Sequence, residues 1–226
     1  MEISCLYIFY YLCYWLTNLL EMQFIMMAMH IVSGFRAVNE HLYKILQGKL
    51  GTISNQSFQE AIGNLSLCYA TLCDVLREVD RCHGPVLFIL LTSYVLQLIV
   101  TPYYLVYNDC GFDSHLRQIF IVDGEVANII LQVFWITFHT ITLFALVEPG
   151  QYTHIEIEKT KELVSRLMRF ANPTFDPMSA TLEQFYQQIV LNQVAYSPLG
   201  VTILSRPLIV VSGITTYLIV LIQFNV

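Results

Sequence analysis

The chain has 226 residues, of which 56% are hydrophobic and 12% charged, with a formal net charge of −6 and a mean hydropathy of +0.58. Soluble domains carry about 25% charged residues, so this composition excludes an ordinary soluble globule. The negative balance lies in connecting segments and says little about partners, and the absence of a basic run gives no footing for nucleic acid.

The first apolar stretch runs from residue 3 to 32, interrupted by Asn18, Glu21 and Gln23. It exceeds the roughly 20 residues that cross a hydrocarbon core of about 30 Å, which predicts a continuous helix projecting beyond the bilayer. Met1-Glu2 lacks the basic start of a signal peptide, so the segment is read as part of the protein. Three more apolar stretches follow at 85–106, 126–147 and 208–224. Lipid admits only structures that satisfy their own backbone hydrogen bonds. The reading is therefore an all-α, polytopic helical bundle forming a single membrane domain with four transmembrane helices.

Between the first two spans, Phe58, Ile62, Leu65, Tyr69, Leu72, Leu76 and Val79 recur at spacings of four and three. That pattern predicts an amphipathic helix whose stripe needs a partner. Gly48, Gly51 and the polar cluster at 54–57 supply the turn before it, and His83-Gly84-Pro85 marks the start of the second span. Asp74, Arg77, Glu78, Asp80 and Arg81 are expected to pair at three- and four-residue spacing on the helix surface. The third span leads into a predicted helix over 156–170, with Leu163, Leu167 and Phe170 on one side. Asn172-Pro173 ends it, and Asp176-Pro177 reads as an N-cap with proline in the first turn. Leu182, Phe185, Ile189 and Tyr196 are predicted to line a further helix that stops near Ser197-Pro198. The segments at 35–84 and 148–206 thus form a helical base.

Arg36, Lys44, Lys49, Arg77 and Arg81 lie between spans one and two, and Lys159, Lys161, Arg166, Arg169 and Arg206 between spans three and four. Only Arg117 falls between spans two and three. The positive-inside rule places both basic segments in the cytosol and both ends of this chain outside. The sequons at Asn55 and Asn64 then face the cytosol and stay unused. Cys68, Cys73 and Cys82 are expected to be cytosolic thiols, with Cys110 outside and no disulfide framework. Their spacing with His83 matches no zinc pattern, and no phosphate-binding glycine loop occurs, so neither metal, cofactor nor enzymatic chemistry is expected.

In the last span, Ser212, Thr216, Ile219 or Val220, and Gln223 share one helical face, with Gly213, Tyr217, Leu221 and Phe224 on the next. A polar stripe in a membrane helix faces protein or water; it either glues helices together or lines a path. The closing string Thr216-Tyr217-Leu218-Ile219-Val220-Leu221-Ile222-Gln223-Phe224 resembles the C-terminal signature of insect gustatory receptors. Leu19-Leu20-Glu21-Met22-Gln23-Phe24, Phe35-Arg36, Asn39-Glu40 and Thr202-Ile203-Leu204-Ser205-Arg206 are similar to the same family's fourth helix, its second cytosolic loop and the approach to its last helix. The resemblance covers most of the chain, as helices four to seven of a seven-helix receptor whose first three helices, part of the sensing region, lie outside it.

That resemblance implies a plasma-membrane chemosensory subunit of a ligand-gated, non-selective cation channel, tetrameric with like or unlike subunits. It implies a pore lined by Ser212, Thr216, Val220, Gln223 and Phe224, with Tyr217 bracing the helix. Gln223 amides would offer oxygen dipoles to a hydrated cation, and Phe224 would close the path by dewetting. A tastant pocket in the outer half of the bundle is implied at Trp15, Tyr103, Tyr104, Tyr107, Trp135 and His139. Tyrosine and tryptophan also gather at membrane interfaces without binding a ligand, so anchor and contact both stand as readings. Leu218 occupies the place where sugar receptors of the family often carry an acid, which leans away from that branch. Glu21 keeps a second class open. A carboxylate within an apolar stretch is either carried to the interface by the long first helix or serves as the proton site of a secondary transporter.

Overall fold

The computed structural model describes residues 2–48, 55–109, 123–170, 177–201 and 203–224. Five α-helices occur among them: α1 (Glu2–Gln47), α2 (Asn55–Asp109), α3 (Asp123–Phe170), α4 (Pro177–Leu191) and α5 (Arg206–Phe224), with a short 3-10 turn at Pro198–Gly200. The all-α reading holds. The turn residues Gly51 and Ser54, together with Cys110, Arg117, Asn172-Pro173, Asp176 and Thr202, lie outside the described residues.

The chain divides into two compact units, one of residues 1–84 and 149–204, the other of 85–148 and 205–226. In the first, a stripe on α1 (Phe24, Ala28, Ile31, Phe35, Val38, Leu42) is fully buried at helical spacing. It meets the predicted stripe of α2, of which Phe58, Ile62, Tyr69 and Leu76 are buried and Leu65, Leu72 and Val79 half-buried. Leu163 and Leu167 of α3 and Leu182, Phe185 and Ile189 of α4 complete the core. Tyr69 stands at its centre, edge-on to Phe35 at 5.5 Å and to Phe185 at 5.7 Å. Burying each such ring contributes about 1.5–3 kcal/mol, and burial pushes the Tyr69 hydroxyl and the Cys73 thiol above their ordinary ranges. Gly34 lets this packing close, because a Cβ there would sit 2.6 Å from a Leu72 methyl.

Two expectations need correction. Phe170 is exposed, not on the packed side with Leu163 and Leu167, and is the last residue of α3. α4 stops at Leu191 instead of running to Ser197-Pro198. Residues 192–197 continue without helical structure, and Tyr196 reaches the core from this strap, edge-on to Phe24 at 5.5 Å. The predicted surface pairs form between Arg77 and Asp74 (2.9 Å) and between Arg81 and Glu78 (2.7 Å). Asp80 departs from that scheme: its carboxylate accepts the Ser197 N–H at 2.9 Å and fastens the strap.

In the second unit, Leu87, Leu90, Leu91 and Tyr94 of α2 and His139, Leu143, Leu146 and Val147 of α3 are buried. The described side chains of α5 between Val210 and Leu221 are exposed.

Candidate functional site

Three helices, α1, α2 and α3, are long and apolar enough to cross a membrane; α5 is apolar but its described apolar part is shorter. Outward-facing Ile8, Phe9, Tyr11, Leu12, Leu16 and Leu19 on α1, and Ile130, Leu131, Val133 and Phe134 on α3, would be costly in water.

The aromatic candidates separate. On α3, Trp135 and His139 lie one turn apart and stack at 5.3 Å with planes 20° from parallel. Phe138 stands edge-on to both, at 6.0 and 5.5 Å. Tyr94 of α2 also meets His139, at 5.4 Å with the rings tilted by 43°. His139 is 6% exposed, and its Nδ1 is buried without a hydrogen-bond partner among the described residues. Buried polar atoms are rarely left so.

Tyr94 and Phe138 were not singled out in the sequence. Phe138 was within reach, since 134, 135, 138 and 139 form an aromatic cluster at helical spacing; Tyr94 carried no signal beyond its apolar surroundings. Trp15 belongs to the first unit, on α1, and is 68% exposed. Tyr103, Tyr104 and Tyr107 lie on the α2 backbone, and their side chains are outside the described part. The same holds for Ser212, Thr216, Val220, Gln223 and Phe224 on α5. Tyr217 is described and is 65% exposed.

The base holds a second polar constellation. Asn39, fully buried on α1, donates through Nδ2 to the Glu156 carbonyl (2.9 Å) and to Glu156 Oε2 (2.8 Å). Thr160 donates to Asn39 Oδ1 at 2.7 Å and lies 2.9 Å from the Glu156 carbonyl. Arg36 Nε reaches Glu156 Oε1 at 3.5 Å, and Lys159 Nζ reaches Oε2 at 3.8 Å. The buried carboxylate is thus both charge-compensated and hydrogen-bonded, the condition for keeping it in a core. Arg36 and Asn39 therefore have a structural reason for their place in the motif.

At the start of α5, Arg206 grips Glu148 of α3 through Nε (3.2 Å) and Nη2 (2.5 Å). The two-pronged contact suits a planar guanidinium facing a carboxylate. Leu204, just before it, is buried, and its carbonyl lies 2.5 Å from where a Cβ on Gly150 would stand.

Long, outward-apolar helices with two enclosed polar clusters define a polytopic α-helical membrane protein. The chain belongs to the 7tm Chemosensory receptor family, whose profile matches residues 2–226. It is 26% identical over 176 residues to the Drosophila melanogaster protein named "Gustatory receptor for sugar taste 43a". The matched region covers 74% of this chain and 38% of that relative, so the match spans well under half of the relative's length.

Proposed function

We propose that this chain forms the pore-bearing part of a tastant-gated cation channel, with four membrane spans at 3–32, 85–106, 126–147 and 208–224. The two basic segments lie in the cytosol and the subunits assemble as tetramers in the plasma membrane, around α5. The observation that carries this reading is the state of α5. It follows Arg206 without a single charged residue, yet its described side chains find little cover inside the chain. Such a helix must be covered by lipid or by other subunits, and its Thr216/Gln223 stripe calls for water or protein. Tyr217, exposed within one chain, then braces α5 against a neighbouring subunit.

The stacked Trp135–His139 pair with Tyr94 and Phe138 is the ligand-contacting element. Aromatic faces take the apolar side of a tastant, and His139 Nδ1 takes a hydroxyl or amine hydrogen. The relative's name concerns sugar taste, whereas Leu218 lacks the acid often found in that branch, so sugars and amphipathic tastants belong in one panel. Family membership favours a receptor over a Glu21-dependent transporter.

The test records tastant-evoked currents in cells expressing the chain, alone and with a full-length subunit of the same family. His139→Ala should abolish the response with surface expression unchanged, and Gln223→Ala should change cation permeability ratios. Substrate uptake that depends on Glu21, with no conductance, would overturn the reading.

A further inference from the structure

The strap between α4 and α5 is held at two costs. Leu199 takes φ 55° and ψ 18°, and among the described residues it stands alone outside glycine at positive φ. A left-handed backbone presses Cβ against the following carbonyl oxygen, and the Leu199 side chain is exposed, so packing offsets little of the strain. The second cost is the Tyr196 hydroxyl, buried without a hydrogen-bond partner among the described residues. Such conformations persist only where their surroundings over-determine them. Within the strap, the Gly200 N–H donates to the Ser197 carbonyl (2.7 Å), the Val201 N–H to the Pro198 carbonyl (3.2 Å) and the Leu204 N–H to the Tyr196 carbonyl (2.8 Å). Two side chains of α2 tie the strap down from outside: Asp80 accepts the Ser197 N–H at 2.9 Å, and Arg77 donates to Asn192 Oδ1 at 3.1 Å. Gly84, one turn beyond Asp80, faces the strap backbone closely, since a Cβ there would stand 3.5 Å from the Leu199 nitrogen. Ser205 alone separates Leu204 from Arg206, where α5 begins.

We propose that Asp80 is a positioning residue for α5. Its carboxylate latches the strap in the strained state, and unlatching frees Leu199 and Tyr196 and loosens the first turn of α5. The latched bond sits where the strap's own ties converge. Ser197 opens the 3-10 turn that contains Leu199, and its neighbour Tyr196 carries both the unpaired hydroxyl and the carbonyl that holds Leu204. Once Ser197 is free, the turn at Leu199 loses an outside constraint on its conformation, and the hold of Tyr196 on Leu204 weakens with it. The part this latch plays in gating rests on the reading of α5 as the pore helix; the latch itself does not.

Hydrogen exchange of the full chain in nanodiscs, resolved to single amides by mass spectrometry, reads the latch directly. Asp80→Ala should speed exchange at Ser197 about tenfold, the order expected for losing one hydrogen bond to a charged acceptor. It should also speed exchange at Leu208 in the first turn of α5, whose N–H is held by the Ser205 carbonyl at 3.0 Å. Asp80→Asn keeps an acceptor and should not speed either amide. Leu199→Gly removes the left-handed cost, offset in part by the freedom of glycine once released, and should slow exchange at Ser197 about threefold. Tyr196→Phe removes the unpaired hydroxyl and should slow it too. If Asp80 served stability alone, Asp80→Ala would speed exchange evenly through α4 and the buried stripe of α1. That even rise, an unchanged Leu208, or Leu199→Gly acting in the same direction as Asp80→Ala would overturn the proposal. Tastant-evoked currents then test the link to gating: the half-maximal concentration should move in opposite directions in Asp80→Ala and Leu199→Gly. The expected exchange pattern without current from any variant would defeat the channel reading and leave the latch standing. Currents that neither variant shifts would defeat the latch's part in gating alone.

Discussion

Replacing Asn39 by alanine tests whether the buried network is what joins α1 to α3. The carboxamide makes three hydrogen bonds: one to the Glu156 carboxylate, one to the Glu156 carbonyl, and one accepted from Thr160. A bond to a charged group is worth about 1.5–3 kcal/mol net and a neutral one about 0.5–1.5. Arg36 and Lys159 still compensate the carboxylate, and Thr160 keeps its contact with the Glu156 carbonyl. The expected loss for Asn39→Ala is therefore about 3 kcal/mol, below the simple sum. Thr160→Val removes one hydroxyl at nearly constant shape and should cost about 1 kcal/mol. The double variant should cost less than the two losses added, by about 1 kcal/mol, because the Thr160–Asn39 bond can be lost only once. The assay is unfolding in mixed micelles by SDS titration, followed by far-UV circular dichroism. An Asn39→Ala variant within about 0.5 kcal/mol of wild type, or strict additivity of the pair, would refute the network as a stabilising joint.

Other expectations rest on separate features. Gly150→Ala should destabilise the chain, since its Cβ would meet the Leu204 backbone, whereas Gly63→Ala, with open space around it, should gain about 0.5–1 kcal/mol of helix stability; thermal melting of the two variants side by side checks both. Burial raises the Asp80 carboxyl above its ordinary value despite the Ser197 N–H. Its charged form is thus the less favoured one on folding, and stability should fall as pH rises through that raised value. Asp80→Asn keeps the acceptor without the charge and should melt higher than wild type at neutral pH, while Asp80→Ala should melt lower. Iodoacetamide should modify exposed Cys68 and Cys82 in the native protein and reach buried Cys73, whose thiol is held protonated, only on unfolding; peptide mass mapping reads the difference.

Much of the helical framework was legible from one-dimensional pattern. Runs without charge announced long apolar helices, because a backbone in lipid has few ways to satisfy itself. The four-and-three spacing from Phe58 to Val79 announced the α2 stripe, and Pro177 announced the start of α4. Where such local signals were missing, the reading slipped. Tyr196 lies near the apolar period of α4 but reaches the core from a non-helical strap, because Asp80, 117 residues away along the chain, holds Ser197. Phe170 fits the period of α3 yet is exposed, with no partner surface among the described residues at the helix end.

The sequence by itself determined the all-α membrane class, the apolar helices and the family signature, since each depends on composition and spacing along a single helix. The tertiary structure alone decided what Arg36, Asn39 and Arg206 touch, and that Tyr94 of α2 meets His139. It also decided which glycine admits a backbone at close range. Those facts depend on which helix faces which, and periodicity leaves the partner of a buried face unspecified.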